Sequence, residues 1–134
     1  MKVSLRHTKE QGEWAELRFM ARAITQGLKV AKPWGDSARY DLIVEYQGSL
    51  KRVQVKSTRP RHYGGYVCHL STGRSGYSRN EVEFLALYLI PEDLWYIIPI
   101  EHLEGAQTVL LVPSKPTHRF HIYQEAWHLL RDDR

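Results

Sequence analysis

Asp41 stands at the head of the apolar run Leu42-Ile43-Val44, and Gln54-Val55-Lys56 lies within the next one. A carboxylate, an amide and an ammonium gathered in one place could serve the hydrolysis of a phosphodiester. That reaction needs charge placed against an oxyanion and a water made nucleophilic. A hard divalent cation supplies both and prefers oxygen ligands. Asp41 offers a carboxylate, Gln54 an amide oxygen, and Val55 a backbone carbonyl. Lys56 could orient or deprotonate the water, or offset charge at the transition state. A helix acid, Glu16 or Glu13, would complete the donors. The plain alternative is a cross-strand ion pair between Asp41 and Lys56, worth roughly 0.2–1 kcal/mol. On spacing alone that alternative is preferred.

These residues need elements to hold them. Tyr40 to Tyr46 and Leu50 to Ser57 read as two strands joined through Gln47, Gly48 and Ser49. A two-residue turn at Gly48-Ser49 predicts a tight hairpin with Asp41 opposite Lys56 and Ile43 opposite Gln54. Side-chain alternation then puts Asp41, Gln54 and Lys56 on one face, and Leu42, Val44, Val53 and Val55 on the other. Glu10 to Gln26 reads as a helix whose stripe is Trp14, Leu17, Ala21, Ile24 and Leu28. Thr8 and Gln11 form a capping-box pattern at its start, and Gly27 ends it. Lys29 to Trp34 is a predicted short strand. Tyr66 to Ser71 is a third strand of the hairpin group, followed by a polar loop from Thr72 to Arg79. Phe84 to Ile90 and Trp95 to Ile100 are buried strands joined at Pro91-Glu92-Asp93, and Val109 to Val112 is a short strand. Phe120, Tyr123, Trp127 and Leu130 mark a closing C-terminal helix. The order gives an α+β domain: N-terminal helix, central mixed sheet with an antiparallel hairpin, C-terminal helix.

The chain has 134 residues, which fits one domain over 1–134. Cys68 is the only cysteine, which excludes an internal disulfide and a cysteine-rich zinc site and points to a reducing cytoplasm. The longest apolar run, Phe84 to Ile90, is too short to cross a bilayer, so no membrane role is expected. The net charge is +4, and its distribution is uneven. Tyr46 to Asn80 has no acid and carries Lys51, Arg52, Lys56, Arg59, Arg61, Arg74 and Arg79. Glu81 to Glu104 has six acids and no Lys or Arg. A basic stretch interleaved with His62, Tyr63, Tyr66 and Tyr77 suits a phosphate backbone. His118, His121 and His128 match no zinc spacing and read as surface or packing residues. Gly73 and Gly76 form no phosphate-loop motif, and the serines nearby lack a nucleophile elbow. The four tryptophans read as core, with an exposed contact as the alternative for Trp34, beside a loop.

Gly12-Glu13-Trp14-Ala15-Glu16, Pro33-Trp34-Gly35-Asp36, Tyr40-Asp41-Leu42-Ile43-Val44 and Val53-Gln54-Val55-Lys56-Ser57-Thr58 together resemble the PD-(D/E)xK nuclease superfamily. Within it they are most similar to the small bacterial homing-type endonucleases linked to group I introns. Tyr77, Glu83-Phe84, Trp95-Tyr96 and Pro99 extend the resemblance, which spans most of the chain. It implies a restriction-endonuclease-like fold and Mg²⁺- or Mn²⁺-dependent cleavage of double-stranded DNA. By that resemblance Asp41 is the motif aspartate and a metal ligand, and Lys56 is the motif lysine. Glu16 is the helix glutamate completing the site. Gln54 stands where most of the superfamily has Asp or Glu, a departure shared by the intron-associated branch. Periodicity slightly prefers Glu13 as the buried acid, whereas the resemblance selects Glu16. The DNA backbone is expected to pass Ser37 and Arg39, near Arg59 and Arg61, with Arg74 and Tyr77 as further contacts. A homo-oligomer, dimer or tetramer, is implied as well. Two other readings are a Holliday-junction resolvase of the same fold and a DNA-binding module without catalysis.

Overall fold

A computed structural model describes residues 8–35, 37–59, 61, 62, 64–70 and 79–132, with no side-chain description at 61 and 62. In chain order the elements are α1 (Thr8–Thr25), β1 (Lys29–Ala31), β2 (Leu42–Tyr46), β3 (Ser49–Thr58), β4 (Arg61–His62), β5 (Gly65–His69), β6 (Phe84–Leu89), β7 (Leu94–Pro99), β8 (Thr108–Leu111) and α2 (His128–Arg131). A five-stranded sheet has the order β1-β2-β3-β6-β7, and a three-stranded sheet the order β4-β5-β8. Only β3 and β6 pair in parallel, so the large sheet is mixed.

The all-apolar sequence of β6, Phe-Leu-Ala-Leu-Tyr-Leu, explains its central place. Every residue of it is buried, as expected of a strand covered on both faces. Phe84, Ala86 and Tyr88 pack toward α1 with Leu42, Val44, Val53, Val55 and Trp95. Leu85, Leu87 and Leu89 pack toward the small sheet with Tyr66, Cys68, Val109 and Leu111. The expected grouping of Tyr66 to Ser71 with the hairpin is therefore corrected. β5 belongs to the second sheet, and Ser71 lies outside the described residues. The two sheets meet where the Thr58 hydroxyl donates to the Val67 carbonyl at 3.1 Å. At Gly65 a Cβ would stand 2.6 Å from the Leu111 carbonyl oxygen. Only glycine lets β5 and β8 come that close.

The hairpin forms with a different turn. Gln47 and Gly48 both have positive φ, 50° and 85°, the type I′ geometry that suits the twist of paired strands. Leu42 consequently faces Val53 and Ile43 faces Arg52. This is two residues away from the register predicted by a turn at Gly48-Ser49. A slip of two leaves every side chain on its own face. The buried set Leu42, Val44, Val53 and Val55 therefore stands as expected.

The helix differs more. Its buried residues are Ala15, Phe19 and Ala23, while Leu17 and Ile24 are exposed. The predicted stripe followed the aliphatic residues, but the fold turns Phe19 inward. Phe19 packs on Trp95 and Trp127 at centroid distances of 5.5 and 5.2 Å. Small alanines one turn either side let the helix approach the sheet. The Gln11 amide donates to the Ser57 hydroxyl of β3 at 3.1 Å. Gly27, at φ 82°, lies in the turn that ends α1, as expected.

The C-terminal helix forms, but it is shorter than the pattern from Phe120 to Leu130 suggests. A short 3₁₀ turn at His121–Tyr123 and the four-residue α2 are separated by Gln124, Glu125, Ala126 and Trp127. The Glu125 N–H donates to the Trp95 carbonyl at 2.7 Å, and the Glu125 carboxylate accepts from the Trp95 N–H at 2.8 Å. Covering the edge of β7 satisfies that strand's backbone and breaks the helix. Beneath α2 the buried Lys51 ammonium donates to the Asp132 carbonyl at 2.6 Å and the Ser49 hydroxyl at 3.2 Å.

Candidate functional site

Asp41 precedes the first residue of β2 and is held by β3 at two points. Its N–H donates to the Val53 carbonyl at 3.0 Å, and its carboxylate accepts from the Val55 N–H at 2.9 Å. Val53 and Val55 thus turn their backbone groups toward the β2 side. The N–H and C=O of one strand residue point the same way. The Val55 carbonyl is therefore on that side too, beyond the start of β2. Gln54 and Lys56 alternate with the buried valines and are half-buried on the opposite face of β3.

Glu16 comes to Asp41 from α1. Rotation of the buried stripe to Ala15, Phe19 and Ala23 puts Glu16 at its border and leaves Glu13 exposed. The slight preference of periodicity for Glu13 came from the misplaced stripe. A cleft of about 190 Å³ is lined by Glu16, Lys32, Pro33, Gly35, Ala38, Tyr40 and Asp41. Lys32, just past β1, forms an ion pair with Glu16. Sequence reasoning missed Lys32, since no spacing links it to the motif residues.

Burial pushes the Asp41 carboxyl above the usual carboxylate range. The Val55 N–H pulls it back, the Glu16 carboxylate raises it further, and the ammoniums of Lys32 and Lys56 oppose that rise. Two carboxylates thus face one another in a partly dehydrated cleft, flanked by two cations.

The expected DNA contacts are scattered. Ser37 is exposed. Arg39 is ion-paired with Glu81 at 2.8 Å, and Arg59 is half-buried just beyond β3. Arg61 lies on β4, with its side chain outside the description. Arg74 and Tyr77 lie outside the described residues. Trp34 is fully exposed on the loop that borders the cleft. Other cations of the acid-free stretch meet acids of the following segment: Arg52 holds Glu83 and Arg79 holds Glu104. Arg52 also reaches the carbonyls of Asn80 and Arg79 at 3.0 and 3.2 Å, fixing the turn before β6.

The donor set suits a hard divalent cation. Asp41 and Glu16 bring two carboxylates to the cleft, while Gln54 is not among its lining residues. No group of three or more His, Cys, Asp or Glu side chains converges among the described residues. The charge available to a cation therefore comes from two carboxylates. No helix among the described residues is long and apolar enough to cross a membrane.

Comparison with known proteins agrees with this geometry. The profile of a family described as PD-(D/E)XK endonuclease matches residues 6–130. A solved structure of a bacterial homing endonuclease, I-Ssp6803I, is 31% identical and superposes with a TM-score of 0.81. The match covers 95% of this chain and 93% of that one. Among curated protein sequences none matches the chain significantly. A family profile spanning nearly the whole chain, and a similar structure over the same length, place this chain in the PD-(D/E)XK endonuclease family.

Proposed function

We propose that the chain is a homing-type endonuclease that hydrolyses double-stranded DNA. A Mg²⁺ or Mn²⁺ ion would be held by Asp41, Glu16, the Gln54 amide oxygen and the Val55 carbonyl. The carrying observation is the Asp41 carboxylate, fixed on the Val55 N–H at 2.9 Å beside the Glu16-lined cleft. The 31% identity to a bacterial homing endonuclease supports the homing type.

A bound divalent ion would supply Lewis acidity to the scissile phosphate. The remaining tasks fall to the protein's own groups. The Val55 N–H fixes the Asp41 carboxylate and opposes the effect of burial on its charge. Gln54 adds an oxygen without adding charge. Lys56, as an ammonium, orients the attacking water or offsets charge on the phosphate. Ser37, Arg39, Arg59, Arg61, Arg74 and Tyr77 steady the DNA backbone without reading sequence. One small domain covers little duplex, so a symmetric dimer or tetramer is the working assembly. The single cysteine is buried, and burial raises its thiol to about 12. A thiol that is so hard to ionise supports a structural role, in keeping with a cytoplasmic protein.

The test is cleavage of a randomised target library and of a four-way junction with Mg²⁺. Wild type, Asp41→Ala, Lys56→Ala and an EDTA control run together. Wild type is expected to cut linear duplex. Each substitution should lower the rate at least 100-fold, with folding intact by circular dichroism. Undiminished cleavage by Asp41→Ala overturns the proposal. Preferred cutting of the junction reassigns the substrate.

A further inference from the structure

We infer that Lys32 is a resident counter-cation of the cleft, which holds Glu16 and competes with a divalent ion for it. The inference rests on the cation site proposed above and adds a residue to it.

Lys32 follows β1 directly and lines the same cleft as Glu16 and Asp41. Its ammonium is bonded to the Glu16 carboxylate, which is only 21% exposed, while the lysine side chain is 52% exposed. The lysine can therefore swing into solvent while the glutamate remains within the cleft wall. The same ammonium acts on Asp41 and offsets the repulsion from Glu16. Its charge thus offsets part of that of both carboxylates. With Lys56 also acting on Asp41, two carboxylates are balanced by two ammoniums. An entering dication meets repulsion from both lysines and must take Glu16 from one of them. On release, the Lys32 side chain is left at the cleft mouth beside Pro33 and Gly35, where it can meet an incoming phosphate.

A rim ion pair without function would leave cation affinity unchanged on its removal. A lysine that props Glu16 in its binding position would give weaker cation binding when lost. The two readings and the one inferred here differ in the sign of the effect.

The experiment is direct Mn²⁺ binding to the full chain without DNA, followed by electron paramagnetic resonance of the free ion. It uses wild type, Lys32→Met, Lys32→Arg and Asp41→Asn. Lys32→Met is expected to bind Mn²⁺ about 10-fold tighter than wild type. Lys32→Arg, which retains the charge, should stay near wild type. Asp41→Asn should lose the site. Unchanged or weaker binding by Lys32→Met, with the site still dependent on Asp41, overturns this inference and leaves the cation site standing. Binding that is indifferent to Asp41→Asn, or absent from every protein, overturns the cation site and the inference together. DNA binding in EDTA provides a readout independent of the ion. Lys32→Met should weaken it less than it weakens DNA binding in Ca²⁺, where the ammonium is free for phosphate.

Discussion

Asp41 sits in a place that disfavours its charge. Burial and the nearby Glu16 raise its pKa, and the hydrogen bond from Val55 and the two lysines only partly offset them. The sign of the consequence follows from linkage. A carboxyl whose pKa is raised in the folded state lowers stability as pH climbs through its unfolded value, and the loss is complete above the folded value. Asp41→Asn is therefore expected to melt a few degrees higher than wild type at neutral pH in EDTA. The difference should vanish below the ordinary carboxylate range. Thermal melts across that pH range check this, and a lower melting temperature at neutral pH contradicts it. At this scale the positions of the candidate residues were legible in the sequence. Alternation along one strand put Gln54 and Lys56 together, and the following apolar run put Asp41 at a strand head. Lys32 was not legible, because its ion pair with Glu16 depends on how β1 leaves the sheet after α1 has packed.

The elements show where local pattern meets tertiary packing. At Gly65 the neighbouring β8 backbone leaves no room for a Cβ, 2.6 Å from the Leu111 carbonyl. Gly65→Ala should cost about 1–3 kcal/mol, as overpacking does, read by urea denaturation. Loss within a few tenths of a kcal/mol would mean that β5 and β8 separate freely. Strands with strong apolar runs were readable from sequence, β6 and β7 above all. Their grouping was less so. Tyr66 to Ser71 carries no signal that it leaves the hairpin's sheet, since contact across layers leaves no local trace. The helix was readable in extent and misread in orientation. Leu17 and Ile24 match helical spacing as well as Ala15, Phe19 and Ala23 do, and only the packing of Phe19 on Trp95 and Trp127 decides between them. The C-terminal pattern of Phe120, Tyr123, Trp127 and Leu130 fits a helix equally well. Glu125 breaks it to cover β7, a choice made by an unpaired strand edge far away in the chain.

Across the whole molecule, the basic and acidic segments are arranged against one another. Arg52 and Arg79 meet Glu83 and Glu104. The acid-free stretch is therefore less of a polyanion surface than its sequence suggests. Salt dependence of DNA affinity measures the difference. Arg59→Ala should lower the steepness of log affinity against log salt by about one, and Arg79→Ala should leave it nearly unchanged. Equal effects of the two would mean that the Arg79–Glu104 pair opens to bind phosphate. Lys51 ties the molecule together in another way. Its acceptor carbonyls at Leu130 and Asp132 lie 79 and 81 residues further along the chain. A ribosome makes the chain in order, so β3 emerges with an ammonium whose two carbonyl acceptors have yet to be synthesised. Until they arrive, that lysine is more stable in water than under the sheet. The inner face of the hairpin must then wait, and the core closes as a late, single event rather than strand by strand.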